Sequence, residues 1–171
     1  MSNEPASTFR AINAIVDAIS AHPLSEDICK HGLGALSTLA HSKQDVAEVT
    51  DVVDLVFSCM WIHSHSSTVQ QGALAALSKI AIDNQTNHIL RITPNDLDAI
   101  LNAMRTHLYA KDVQENAVIL LRSFMFCPAN INVMGQNPFL VGLVKTAASN
   151  FQGSSKMNVE DLLRLLPSDV Q

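Results

Sequence analysis

The chain writes one helix three times. Residues 28–40 read ICKHGLGALSTLA, residues 69–81 read VQQGALAALSKIA and residues 113–125 read VQENAVILLRSFM. The copies align without gaps, with Ile28 falling on Val69 and Val69 on Val113. Leu33, Ala35, Leu36, Ser37 and Ala40 return as Leu74, Ala76, Leu77, Ser78 and Ala81. The third copy keeps the apolar places as Val118, Leu120, Leu121 and Met125. A helical unit that returns at such a fixed interval is the mark of an α-solenoid, because each unit covers its apolar face only by stacking on the next.

A second helix runs at a similar period. Ile15, Leu55, Ile100 and Leu140 anchor helical apolar patterns, one ahead of each copied helix and one after the last. His22-Pro23 ends the first of these helices, and Ser25-Glu26-Asp27 supplies an oxygen cap and negative charge to the next. Short segments at 45–49, 86–92 and 130–134 separate each copied helix from the following anchor helix. The spacing therefore predicts units of three helices, one of them short. Residues 151–155 read as a flexible break. Val159, Leu162, Leu163, Leu165 and Leu166 then form an amphipathic helix before Pro167, placed to cap the end of the stack. The organisation expected is a disordered tail over 1–8, a single helical repeat domain over 9–166, and a C-terminal tail over 167–171.

Composition narrows the class. Hydrophobic residues are 47% of the 171 but aromatics only 5%, which suits helices packed through small and medium side chains. A net charge of −5 with no run of five like charges argues against nucleic acid as a partner, since phosphate neutralisation needs a basic patch. No apolar run reaches the ~18 residues of a membrane span, so no membrane insertion is expected. The first residues carry no basic flank and apolar stretch of the secretory type. Cys29, Cys59 and Cys127 lack metal-like spacing and read as free thiols of a reducing compartment, the cytoplasm or the nucleus.

The run from Val69 through Ala81 resembles the third helix of an armadillo repeat, notably in its Val-Gln-Gln-Gly-Ala-Leu start. Residues 83–90 resemble the link and short first helix of that family, and residues 97–104 its second helix. The likeness covers roughly residues 9 to 151, or about three repeats. The family's usual Gly-Gly turn before the second helix is replaced here by Thr50-Asp51 and Pro94-Asn95. The resemblance implies an all-α, right-handed α-solenoid whose third helices line a concave groove for extended peptides. Nuclear-import adaptors of the family hold their ligands with a Trp and, four residues on, an Asn in each third helix. The matching pairs here are Gly34 and Thr38, Ala75 and Lys79, and Ile119 and Ser123, so that ligand class is not expected.

Two surfaces are candidate working sites. At about 100° per residue, the groove row comprises Lys30, Gly34, Ser37 and Thr38, then Gln71, Ala75, Ser78 and Lys79, then Glu115, Ile119, Arg122 and Ser123. One cation per helix beside small side chains would favour an extended, partly acidic polypeptide, with Lys79 and Arg122 meeting its carboxylates. Isolated surface pairs of this kind contribute little, well under about 1 kcal/mol each, and ordinary solvation is the competing reading. The second surface lies on the helix of Val52 to Ile62. With Leu55 at the core, Phe57, Met60 and the lone Trp61 fall on the outward side, a face suited to self-association or to docking in a complex.

Catalytic chemistry has no representative. His63 and His65 point opposite ways on a helix and lack the three or four convergent ligands that zinc needs, so no metal and no cofactor is expected. Gly32-Leu33-Gly34 lies inside a copied helix, where it cannot cradle phosphate. The reading is a non-catalytic scaffold that binds a protein or peptide partner through the groove, with self-association through the Trp61 face as the alternative.

Overall fold

The computed structural model describes residues 4–39, 46–82, 90–150 and 154–166. Among these there is no strand, and the secondary structure is helical: α1 (Glu4–Ala21), α2 (Glu26–Leu39), α3 (Val46–Ile62), α4 (Ser67–Ile82), α5 (Pro94–Thr106), α6 (Lys111–Phe124), α7 (Pro128–Gly135), α8 (Leu140–Asn150) and α9 (Ser154–Leu165). The fold is all-α.

The helices form two layers. The copied helices α2, α4 and α6 pack on one another in sequence order, and α9 continues that layer against α6. Anchor helices α1, α3, α5 and α8 form the other layer, with α1 against α2, α3 against α4 and α5 against α6. One core runs between the layers. Leu33, Leu36, Leu74, Leu77, Val118 and Leu121 are all buried, as the copied pattern requires. Gly32 permits close contact between the layers at the start: a Cβ there would stand 2.7 Å from Ile19 Cδ1.

Polar side chains staple the units, and they too recur. Gln70 Nε2 donates to Met60 O at 2.9 Å and His63 O at 3.0 Å, while Gln114 Nε2 donates to Met104 O at 2.7 Å and His107 O at 3.0 Å. Both side chains are buried. They satisfy carbonyls at the C-terminal ends of α3 and α5, where a helix has no backbone donors of its own. Between units, His63 Nε2 lies 2.8 Å from Pro23 O and His107 Nε2 2.9 Å from Ser64 O. A carbonyl only accepts, so both rings donate through Nε2. Helix α5 opens with a capping box in which Thr93 and Asp96 each satisfy the other's backbone N–H, with Pro94 at the first turn.

Several boundaries differ from expectation. Helix α1 begins at Glu4, so most of the tail expected over 1–8 is helical. A long apolar face, from Ile12 to Ile19, lets the helix extend backwards over polar residues. Among the described residues the short helix of a unit stands apart as α7, where Cys127-Pro128 restarts the chain. In the unit before it, residues 83–89 lie outside the described residues, and Leu90 to Ile92 are non-helical, held by Asn130. In the first unit Val46 to Val49 run without a break into α3. Of the expected break at 151–155, residues 151–153 are outside the described residues and Ser154 and Ser155 belong to α9. Residues 167–171 are likewise outside them.

Candidate functional site

The outer row of the copied helices is open over two of its three members. On α2, Lys30, Gly34 and Thr38 are exposed, and a Cβ built on Gly34 meets no atom within 4 Å. On α4, Gln71 and Lys79 are exposed on either side of the half-buried Ala75. Helix α6 continues the row with half-buried Glu115 and Ile119. Lys111 Nζ lies 3.7 Å from Glu115 Oε1, one turn apart. The row is thus small-sided along its middle, with lysines at its edges.

Two expected members leave the row on α6. The Arg122 guanidinium reaches Asp161 of α9, Nη2 to Oδ2 at 3.3 Å, and its Nε is buried with no partner among the described residues. Ser123 is 4% exposed and donates to Ile119 O at 2.9 Å. The cause is α9, which packs along α6 and covers what the repeat pattern alone leaves open. Ser78 is also buried, and its hydroxyl donates to Asn116 O at 3.1 Å, tying α4 to α6. The cations left for a ligand are therefore Lys30 and Lys79.

The second expected surface is rearranged more deeply. Phe57 and Met60 are 3% and 2% exposed, so they belong to the core and not to an interface. Leu55, taken as the centre of the buried side, is only half-buried. The buried arc of α3 holds Val49, Val52, Val53, Val56, Phe57, Cys59 and Met60, and at about 100° per residue it centres near Val56. Leu55 stands at its edge. This helix has neighbours on several sides (α1, α4 and α5), which widens the apolar arc beyond one stripe.

Trp61 does reach the surface, at 40% exposed, but with other companions. It borders a cleft of about 290 Å³ on the anchor layer, whose walls include Leu101, Arg105, Phe139 and Leu143. Phe139 is 67% exposed. The polar groups of the cleft are held in place: Asn137 Nδ2 donates to Asp98 Oδ1 at 3.2 Å, and Arg105 Nη2 to Asn102 Oδ1 at 3.1 Å. Phe139 was invisible to periodicity because it sits in the Asn137-Pro138-Phe139 turn ahead of α8.

Burial perturbs two thiols. Cys29 and Cys59 are buried with their sulfurs 3.9 Å apart across α2 and α3, and neither forms a disulfide. Burial raises both pKa values, that of Cys59 to about 12, so they remain neutral thiols and poor nucleophiles at physiological pH. Among the described residues no three His, Cys, Asp or Glu side chains converge as a metal site. His63 and His107 are instead the staples between units. Among the described residues no helix is long and apolar enough to cross a membrane. No protein-family model matches the chain, and no curated protein or solved structure matches it.

Proposed function

We propose that the protein is a non-catalytic interaction scaffold of the armadillo type, a right-handed α-solenoid that binds an extended, partly acidic polypeptide along the outer row of α2, α4 and α6. The observation that carries this reading is the contrast between the two sides of the copied helices. Their inner positions are kept and buried, whereas most outer positions differ and those of α2 and α4 leave an open stretch, with Gly34 and Ala75 giving room for a backbone and Lys30 and Lys79 beside them. A backbone laid over small residues can approach closely, and exposed ammonium groups attract carboxylates more than they order them, so specificity comes from register along the row.

The test uses a short fluorescent peptide with Glu at alternate positions, titrated by anisotropy. Lys30→Glu with Lys79→Glu should weaken binding about tenfold or more, whereas Lys145→Glu, on α8 of the anchor layer, should not. Equal affinity for all three proteins would sink the groove reading.

A second reading is self-association or complex docking through the Trp61 cleft, favoured by the exposure of Trp61 and Phe139 on one rim. Sedimentation of the wild type against Trp61→Ala separates it from the first. A wild-type monomer whose ligand binding ignores the substitution would exclude it.

A further inference from the structure

The first helix pair repeats the units behind it, yet among the described residues two of its repeating features have nothing to act on. The first is a surface. Positions Ile28, Gly32 and Ala35 of α2 correspond to Val69, Ala73 and Ala76 of α4 and to Val113, Ala117 and Leu120 of α6. In α4 and α6 all six are buried, because the preceding copied helix lies on them. On α4 the cover is identified directly, as a Cβ on Gly72 would meet Leu33 Cβ of α2 at 3.3 Å. On α2 the same positions, with Ala14, Ile15, Ala18 and Ile19 of α1, line an open apolar groove of about 450 Å³.

The second is a hydrogen bond. His22, His63 and His107 occupy one place in three successive units, spaced as the copied helices are. His63 and His107 each donate to a turn carbonyl of the unit before. His22 is exposed, and no unit precedes its own among the described residues to offer such a carbonyl. Groove and histidine thus form the receiving half of the joint that the molecule builds twice inside itself.

We propose that this N-terminal face is a docking site for one further helix pair of the same repeat class, carried by a partner chain. The internal joints specify what it must present: an aliphatic helix ridge over Ile28, Gly32 and Ala35, and a turn carbonyl within reach of His22. A second copy of this chain does not meet the description. Among the described residues its last helices expose Lys145, Thr146, Ser149, Glu160 and Arg164, with Leu165 the one large aliphatic side chain beside them, which does not make an aliphatic ridge. His31 stands where α4 has Gly72 and α6 has Asn116, so a glycine at that place is not a requirement of the joint. This surface is separate from the outer row, so Lys30→Glu with Lys79→Glu leaves it intact.

The experiment joins a helix pair ahead of residue 4 of the full chain by a short Gly-Ser linker. The pair is a second copy of residues 46–82, whose α4 already stacks on a copied helix inside the chain. Tethering supplies the pair at high effective concentration, so the readout concerns the face and not a partner's affinity. Thermal unfolding should show a single transition with Tm raised by about 5 °C or more. Ala18→Arg, which fills the groove, and His22→Ala should each remove most of that gain, and neither should change the Tm of the parent chain. An unchanged Tm, a separate early transition for the added pair, or a gain indifferent to both substitutions would overturn the proposal. Dimerisation of the parent chain that Ala18→Arg abolishes would overturn it as well, in favour of a second copy.

Discussion

Replacing Gln114 by Met tests whether the repeated staple, and not only the apolar stripe, holds each helix pair together. Met fills a similar volume without a donor. Two hydrogen bonds disappear, to Met104 O and His107 O. The losses are unequal. His107 O keeps Ala110 N at 3.0 Å, whereas no other donor among the described residues reaches Met104 O. A buried carbonyl left alone costs about 1–3 kcal/mol, and the bond to His107 O is worth about 1 kcal/mol more. Against this, Gln114 Oε1 is itself buried without a partner among the described residues, and Met removes that penalty of about 1 kcal/mol. The net destabilisation expected is about 2 kcal/mol, which for a chain of this size lowers Tm by about 4–8 °C. Urea unfolding followed by Trp61 fluorescence and by far-ultraviolet circular dichroism measures it, with the denaturant slope unchanged. Gln70→Met should behave alike, because Gln70 makes the same pair of bonds. Gln114→Glu should cost more than Met at neutral pH, since a carboxylate would face two carbonyl oxygens. A loss under about 0.5 kcal/mol in both Met variants, below the range of a single net hydrogen bond, would refute the reasoning and leave the staples as passengers of the packing.

Other consequences are smaller in scope. With Cys59 raised from 9.0 to about 12 in the folded chain, the unfolded thiol ionises first as pH rises, so stability is full below pH 9 and declines above it. From pH 8 to pH 10 Cys59 alone should remove about 1.4 kcal/mol, a decline absent from Cys59→Ala in paired urea titrations. Helix α9 is held by its buried leucines more than by its ion pair: Leu162→Ala should cost about 2–4 kcal/mol, and Asp161→Ala, whose partner Arg122 is 39% exposed, less than about 1 kcal/mol. The reverse order in chemical denaturation would show that the Arg122 contact fastens the cap.

The copied helices were legible because stacking acts on every unit through the same few positions. Leu33, Leu74 and Val118 are buried by one repeated geometry, and selection of residue type at those places leaves a period in the chain. The repeated Gln70 and Gln114 were visible as letters but not as staples. Only the fold brings the ends of α3 and α5 to them. Phe57 and Met60 were misplaced for a related reason: periodicity reports one apolar stripe per helix, and α3 has several neighbours. Arg122 and Ser123 show the limit of reading a unit by itself, since what covers them is α9, which lies beyond two further helices in the chain.

Sequence alone therefore determined the helical class, the repeat and its inner face, because each depends on contacts that recur at a fixed interval. Tertiary structure decided what happens where the recurrence stops. Past α8, α9 packs on α6 and takes Arg122 out of the outer row. At the N-terminal end the groove of α1 and α2 stays open beside His22. Where the recurrence stops, no period in a chain can say which side chains are covered and which stay open.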